Sequence, residues 1–225
     1  QSHLIAQHAM SLGHHFVIVT DEHVCDQYAV PLAQTLKNYH QHCLLITIPA
    51  GEAQKNRETK ASIENQMLEA QCGRDTVLIA VGGGVVSDTA GFVASTYCRG
   101  IPSIYVPTTL LAMVDAAIGG KTGVNTPEGK NLIGSFHQPR YVFCDPNTLS
   151  SLPHDEIANG IVESLKHALI KDPAFFNEIN TLLDNHSDLQ SVPSQQWASF
   201  IATSCQIKCD IISLDEKEQG GARQL

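Results

Sequence analysis

The densest group of residues able to bind an anion lies in the segment 115–131, whose sequence is DAAIGGKTGVNTPEGKN. Lys121 and Lys130 each follow a glycine, and Asp115, Asn125 and Asn131 add polar groups nearby. Lysine ammonium groups bind phosphate or carboxylate, and a long glycine-rich loop can direct several donors to one point. The same composition is typical of a mobile surface loop. Because apolar segments flank it closely on both sides, we favour a functional loop that binds an anionic ligand.

Glycines at 82–84 come directly after an apolar, strand-like run, and Ser87 and Asp88 follow them. Such glycines let backbone N–H groups approach a pyrophosphate, although the same cluster can form a tight turn without a ligand. The segment does not follow the GxGxxG pattern of many dinucleotide-binding proteins. Thr108 and Thr109 follow another strand-like run, where their hydroxyl groups suit either a ligand or a helix N-cap. Chemistry alone favours the cap.

Glu163, Lys166 and His167 have the spacing i, i+3, i+4, which places them on one face of a helix. Glu163 and His167 could both reach one metal ion, but two ligands are too few for a zinc site. Lys166 could equally form a solvated ion pair with Glu163. The spacing leaves both interpretations open and favours the ion pair.

The elements that must position these residues change in character along the chain. In the first half, helical patterns alternate with short apolar runs at 15–20, 43–48, 76–81, 104–106 and 141–144. Several of these runs are apolar throughout, which predicts an α/β fold with a Rossmann-like N-terminal domain and a parallel sheet covered on both faces. After Asp145 only helical patterns follow, so we predict an all-α C-terminal domain, with the two domains at 1–149 and 150–225. Residues 215–225 lack a cap or an apolar closure, which indicates that the helical domain is incomplete.

The overall composition fits a folded protein and argues against several classes. Hydrophobic residues make up 43% of the 225 residues, which is enough to bury a core. The 14 basic and 23 acidic residues give a net charge of −9, which argues against nucleic acid as a partner. No apolar run approaches the ~20 residues that span a bilayer, and residues 1–10 lack a signal-peptide pattern. The seven cysteines include no CxxC pair, so we expect reduced thiols and a cytoplasmic protein.

Four long strings of the sequence match the pattern of one enzyme family. They are PAGEAQK (49–55), GGGVVSDTAGFVAS (82–95), YCRGIPSIYVPTTLLAMVDAAIGGKTGVNTPEGKNLIGSFHQP (97–139) and SLPHDEIANGIVESLKHALI (151–170). The string DEKEQGGARQL (215–225) matches a further segment, which in the family leads into metal-binding histidines. Together these strings resemble the 3-dehydroquinate synthases of the shikimate pathway. The resemblance covers essentially the whole chain, and its most specific part is residues 97–139.

The resemblance implies an NAD site in the N-terminal domain. The glycine turn and the threonine pair would hold the cofactor, Glu52 and Lys55 would reach its adenosine side, and Asp21 would contact a ribose. The residues implied for NAD are Asp21, Gly51, Glu52, Lys55, Gly83, Gly84, Ser87, Asp88, Thr108, Thr109, Lys121, Lys130, Thr148, Leu149, Ser150 and Ser151.

The resemblance also implies a small anionic sugar-phosphate substrate and a divalent metal, usually zinc, with cobalt as an alternative. Glu163 would be one of three metal ligands, and His167 has no assigned role and is left as structural. Arg99 would reach a substrate phosphate in the neighbouring subunit, which implies a homodimer. The family's two metal-binding histidines and its catalytic histidine would follow residue 225, so we expect these 225 residues alone to bind metal poorly and to be nearly inactive. The implied catalytic and substrate-binding residues are Lys121, Lys130, Asn131, Lys166, Asp115 and Arg99.

The implied reaction converts 3-deoxy-D-arabino-heptulosonate 7-phosphate to 3-dehydroquinate and phosphate, in aromatic amino acid biosynthesis. It would proceed by transient oxidation with NAD, elimination of phosphate, re-reduction and an intramolecular aldol closure, with the metal acting as a Lewis acid. Polyol dehydrogenases resembling glycerol dehydrogenase share the architecture but need no phosphate-binding lysines. Other sugar phosphate cyclases, such as the 2-deoxy-scyllo-inosose type, differ mainly in the segment 115–131. A non-catalytic NAD-binding module is a third alternative, which ranks below the enzymes.

Overall fold

The structure is a computed structural model that describes residues 1–39 and 42–220. The described chain forms two compact units. The first comprises Gln1–Pro107 and Gly120–Phe143, and the second comprises Thr108–Gly119 and the residues from Cys144 onward. The compact units thus assign Thr108–Gly119 to the helical part, whereas the division into functional domains at residue 149 stays a prediction. The end of the matched string 215–225, from residue 221 onward, lies outside the described residues.

The first unit is built on a five-stranded sheet in the order β2-β1-β3-β4-β7, in which all neighbours are parallel. β3 is buried along its whole length, as expected for a strand covered on both faces. This confirms the predicted α/β, Rossmann-like fold. The elements of this unit are α1 (Ser2–Met10), β1 (His15–Asp21), α2 (Val30–Tyr39), β2 (Cys43–Ile48), α3 (Arg57–Glu69), β3 (Thr76–Gly82), α4 (Gly84–Thr96), β4 (Ser103–Pro107), β5 (Lys121–Thr126), β6 (Gly129–Phe136) and β7 (Tyr141–Val142).

The strand order reverses at β1, because the chain first adds β2 on one side of β1 and then β3 on the other. In doubly wound sheets, ligands bind outside the carboxyl ends of the strands at this switch point. β1 ends at Asp21 and β3 ends at Gly82, directly before the glycine turn. The topology therefore brings two of the segments predicted to bind NAD to the same edge of the sheet.

The predicted long loop over 115–131 is wrong for most of its length. Residues 121–136 form an antiparallel hairpin, in which Lys121 pairs with Phe136 and Thr126 pairs with Gly129. The physical reason is that Thr122, Val124 and Thr126 suit a strand, and the residues between Thr126 and Gly129 form a tight turn. Lys121 and Lys130 consequently lie at opposite ends of the hairpin, roughly 15 Å apart at about 3.4 Å per residue.

The hairpin packs on α4 through small residues. A Cβ atom at Gly91 would overlap the Tyr105 hydroxyl group and the Thr122 side chain, so only glycine allows this approach. Ser135 in β6 donates a hydrogen bond of 2.7 Å to Ser95 in α4. These contacts fix the hairpin against the helix that follows the glycine turn.

The second unit is helical, in agreement with the predicted all-α part. Its helices are α5 (His154–Lys171), α6 (Pro173–Asn185) and α7 (Ser194–Leu214), together with a turn of helix at Ala112–Ala116. Asp172 caps α6 by accepting hydrogen bonds from the N–H groups of Ala174 and Phe175. The core is formed by apolar residues of all these elements, including Trp197, Phe175 and Phe200. Among the described residues, no helix has both the length and the apolar character needed to cross a membrane.

Candidate functional site

The glycine turn forms the N-terminus of α4. Gly83 occupies the N-cap position without a side-chain cap, and the helix begins at Gly84. The first N–H groups of a helix lack intrahelical partners, and with the helix dipole they favour a bound anion. Ser87 is buried and donates a hydrogen bond of 3.2 Å to the carbonyl of Gly84, so its hydroxyl group serves the helix itself.

Lys55 and Asp88 form a largely buried ion pair. Lys55 Nζ lies 2.5 Å from Asp88 Oδ2, and the two side chains are 6% and 18% exposed. The Lys55 carbonyl oxygen accepts a hydrogen bond of 2.8 Å from the Asn125 N–H. The pair links the turn after β2 to α4, while the backbone bond links that turn to the hairpin.

Glu52 contacts two residues of the hairpin, Asn125 and Lys130. Its Oε1 accepts a hydrogen bond of 2.8 Å from Asn125 Nδ2 and lies 3.5 Å from Lys130 Nζ. Asn125 Oδ1 in turn accepts a hydrogen bond of 3.0 Å from the Asn131 N–H. A pocket of about 600 Å³ opens beside this cluster, lined by Glu52, Ala53, Lys55, Asn56, Arg57, Glu58, Asn125, Thr126 and Pro127. The structure thus brings Glu52, Lys55, Asp88, Lys130 and Asn131 into one region of the first unit.

The remaining predicted residues of the first unit lie elsewhere on it. Asp21 accepts a hydrogen bond from the His23 N–H at the end of β1. Gly51 has a φ of 100°, in the region that favours glycine, and starts the turn that carries Glu52. Arg99 is exposed after α4 with a φ of 68°. Lys121 is exposed at the start of β5, at the opposite end of the hairpin from Lys130.

The predicted NAD residues of the second unit form local hydrogen bonds. Thr109 Oγ1 accepts a bond of 3.1 Å from the Ala112 N–H, which is the cap that chemistry alone favoured. Thr108 Oγ1 is buried without a hydrogen-bond partner in the part of the chain that the structure describes. In the turn Pro146–Ser151, the side chain of Leu149 is buried. Each hydroxyl group of this turn donates a hydrogen bond to the carbonyl oxygen three residues earlier: Thr148 to Asp145, Ser150 to Asn147, and Ser151 to Thr148.

Three groups able to bind a metal ion converge in the second unit. Asp115, Glu163 and His167 each offer one ligand atom, and these atoms all lie within 4.8 Å of one another. The side chain of Glu163 is 17% exposed and that of His167 is 2% exposed. Carboxylate oxygen and imidazole nitrogen are common zinc ligands, so these residues fit a divalent cation.

Glu163 Oε1 is the centre of this cluster. His167 Nε2 lies 3.3 Å from this oxygen, and the Lys166 ammonium group forms an ion pair with it. The contact with His167, followed by that with Lys166, lowers the pKa of Glu163 to about 2, although burial alone would raise it. The ion pair predicted for this helix face is therefore present, and metal binding by Glu163 and His167 stays a prediction.

Sequence reasoning did not single out two partners of this cluster. Lys208 Nζ forms an ion pair with Asp115 Oδ1, and Ser204 Oγ lies 2.9 Å from His167 Nδ1. Both partners lie on α7, far along the chain from the residues that they contact. The sequence carries no local spacing signal for such contacts, whereas the His167 contact was detectable from its spacing to Glu163.

Comparison with known families agrees with the resemblance found in the sequence. A model described as 3-dehydroquinate synthase N-terminal matches residues 45–159, and one described as 3-dehydroquinate synthase C-terminal matches residues 160–225. The 3-dehydroquinate synthase of Prochlorococcus marinus is 46% identical over 211 residues, which are 92% of this chain and 56% of that protein. That of Nitrosomonas europaea is 44% identical over 209 residues, with the same coverage of 92% and 56%. The chain thus spans little more than half the length of these curated relatives.

Three solved structures of other enzymes are similar to this chain in fold. The 2-epi-5-epi-valiolone synthase of Streptomyces hygroscopicus, solved with NAD+ and Zn2+ bound, matches with a TM-score of 0.86 and 32% identity, over 94% of this chain and 59% of that one. A 2-deoxy-scyllo-inosose synthase complexed with carbaglucose-6-phosphate, NAD+ and Co2+ matches with a TM-score of 0.83 and 29% identity, over 93% and 57% of the chains. The glycerol dehydrogenase of Schizosaccharomyces pombe shares the fold at 18% identity, with a TM-score of 0.66 over 92% and 57% of the chains. With both family models matched along most of its length, the chain belongs to the 3-dehydroquinate synthase family.

Proposed function

We propose that this chain is part of an enzyme that converts 3-deoxy-D-arabino-heptulosonate 7-phosphate to 3-dehydroquinate and phosphate. The observation that carries the proposal is the 42–46% identity to 3-dehydroquinate synthases over at least nine-tenths of the chain. A 2-epi-5-epi-valiolone synthase and a 2-deoxy-scyllo-inosose synthase of known structure are less similar, at 28–32% identity. The glycerol dehydrogenase of Schizosaccharomyces pombe and an iron-containing alcohol dehydrogenase, at 18% and 17% identity, support the fold alone.

The first unit supplies the proposed NAD site. The N–H groups at the start of α4 would bind the pyrophosphate, and Asp21 at the end of β1 would contact a ribose, as in other sheets with this switch point. Glu52 and Lys55 line the pocket of about 600 Å³ beside the hairpin, where they would contact the cofactor. When bound, NAD supplies a reversible acceptor for a hydride from the substrate alcohol.

The second unit supplies the proposed metal and substrate groups. Glu163 would ligate zinc or cobalt, and Asp115 and His167 border the same space. When bound, the cation supplies a Lewis acid that polarises the substrate oxygen. Lys166 and Asp115 would bind and orient the anionic substrate, because a molecule carrying both carboxylate and phosphate needs several fixed polar groups. In the first unit, Lys121, Lys130 and Asn131 stay predicted substrate residues. The backbones of the two lysines are roughly 15 Å apart along the hairpin, so their side chains would have to extend toward each other to contact one substrate.

Two further features complete the proposal. Arg99 is exposed, and we place it against a substrate phosphate in a second subunit of a homodimer. The seven cysteines are all free thiols, which supports a reducing compartment and hence the cytoplasm.

The test measures phosphate release by the full-length natural polypeptide, supplied with NAD and zinc. We expect release from 3-deoxy-D-arabino-heptulosonate 7-phosphate and little from glucose 6-phosphate, which lacks the carboxylate. Lys166→Ala should reduce the rate on the order of 10²-fold, because the substrate loses an orienting cation. Lys171→Ala, an exposed lysine on the same helix, is the matched control and should retain the rate. If the full-length protein releases no phosphate from the heptulosonate, or prefers glucose 6-phosphate, the assignment is wrong.

A further inference from the structure

His167 occupies an unusual setting for a residue without a role. Its side chain is 2% exposed and faces Glu163 from the next turn of α5. On its other side, Nδ1 lies 2.9 Å from Ser204 Oγ on α7, and that oxygen lies 3.1 Å from Ser164 Oγ. Both serines are fully buried. A continuous polar chain therefore runs from α7 through His167 to the Glu163 carboxylate.

A role in packing alone does not explain this polar chain from Ser204 through His167 to Glu163. Buried hydroxyl and imidazole groups are unfavourable in a core unless each finds a partner, and an apolar side chain would fill the same space. The contact of Nδ1 with Ser204 restrains the imidazole ring, and Nε2 lies 3.3 Å from Glu163 Oε1, within ion-pair distance but without a formed hydrogen bond. Lys166 forms its ion pair with that same oxygen. The two contacts hold one oxygen of the carboxylate, and Oε2 takes part in neither of them.

We propose that His167 is a positioning residue: anchored by Ser204, it holds Glu163 Oε1 so that the other carboxylate oxygen is oriented toward a divalent cation. The proposal rests on the metal site proposed above for Glu163. A glutamate side chain has several rotatable bonds, so an unheld carboxylate must lose rotational freedom each time it binds a cation. Residues that hold a metal-ligating side chain in its binding orientation reduce this loss of rotational freedom and so raise the affinity for the metal.

Two substitutions of His167 test its contact with Glu163 and its contact with Ser204 separately. In His167→Gln, the side-chain amide group can take the place of Nε2 and keep the contact with Glu163. In His167→Asn, the shorter amide can take the place of Nδ1 and keep only the contact with Ser204. Ser204→Ala removes the anchor and leaves His167 in place. His154→Gln, on an exposed histidine of the same helix, is the control for loss of an imidazole group.

The measurement is Co2+ binding to the metal-free, full-length protein, followed by the visible absorption of the ion and by chelator competition. We expect His167→Asn to weaken Co2+ binding roughly 10- to 100-fold and to change the absorption bands, with Ser204→Ala acting in the same direction. His167→Gln keeps the contact with Glu163 but not the anchor, so it should bind Co2+ about as well as Ser204→Ala and better than His167→Asn, and His154→Gln should leave the affinity unchanged. Thermal unfolding identifies any variant that does not fold, and the comparison then rests on the variants that do.

The outcomes separate this inference from the proposed function. If the unaltered protein does not bind Co2+, the metal site itself is wrong and the role of His167 falls with it. If the unaltered protein binds Co2+ and His167→Asn and Ser204→Ala bind it equally well, only the positioning role is refuted. A His167→Gln variant as weak as His167→Asn also refutes it, because the contact through the Nε2 position would then be irrelevant.

Discussion

Replacing Lys55 with methionine should destabilise the first unit far more than the loss of a surface charge. The change removes the ammonium group 2.5 Å from Asp88 Oδ2 and leaves a carboxylate that is only 18% exposed. Breaking a buried pair from one side destabilises by about 3–5 kcal/mol, and the remaining exposure of Asp88 argues for the lower end, about 3 kcal/mol. With a urea dependence of about 2 kcal/mol per M, the unfolding midpoint should fall by about 1.5 M.

The assay is urea unfolding followed by far-ultraviolet circular dichroism, with Lys130→Met as the control in the same unit. Lys130 and Glu52 are 73% and 47% exposed and 3.5 Å apart, so this change should cost about 1 kcal/mol or less. The double variant Lys55→Met with Asp88→Asn should lose about 2 kcal/mol less than the sum of the single losses, because both charges of the ion pair are then removed together. Equal midpoints for Lys55→Met and Lys130→Met would refute the reasoning.

Three further changes test the packing and the electrostatics. Gly134→Ala should destabilise by about 3 kcal/mol or more in urea, because the added Cβ would overlap the Thr122 carbonyl oxygen across the hairpin. Asp172→Ala should destabilise by about 1 kcal/mol through loss of the α6 cap, and an unchanged urea midpoint would contradict this role of Asp172. Burial raises the pKa of the Cys205 thiol from 9.0 to about 12. Between these pH values the unfolded chain loses the thiol proton while the folded chain keeps it, so the free energy of unfolding is unaffected below pH 9 and falls as the pH rises toward 12. Cys205→Ala should therefore flatten the stability profile in that alkaline range, and an unchanged slope would contradict this.

The parallel sheet and the helices were predictable because their sequence patterns are local. The run at 77–81 is apolar in every residue, and the strand it predicts is buried over Thr76–Gly82. The apolar spacing after residue 153 likewise predicted α5, which spans His154–Lys171. In both cases burial of a continuous face decides the structure, and the sequence shows that face directly.

The hairpin at 121–136 was not predictable in the same way. Glycine, asparagine and proline are frequent there, which is typical of loops, and the strands are short. What makes these residues pair is their packing against α4, where Gly91 allows close approach and Ser95 binds Ser135. These tertiary contacts add to the strand preference of Thr122, Val124 and Thr126, which the surrounding glycines and asparagines obscure in the sequence.

The cluster of Asp115, Glu163 and His167 illustrates how much of a proposed site local spacing can predict. Helical periodicity alone predicts that Glu163, Lys166 and His167 share a face, and the structure has them in contact. What spacing cannot reveal is which of two chemistries that face supports, because an ion pair and a ligand set use the same residues. The distinction depends on Asp115 from one turn and Ser204 from α7, which add a second carboxylate and an anchor. An exposed ion pair needs neither group, whereas the proposed cation site would use the additional donor of Asp115 and, on our proposal, the anchor that Ser204 gives to His167.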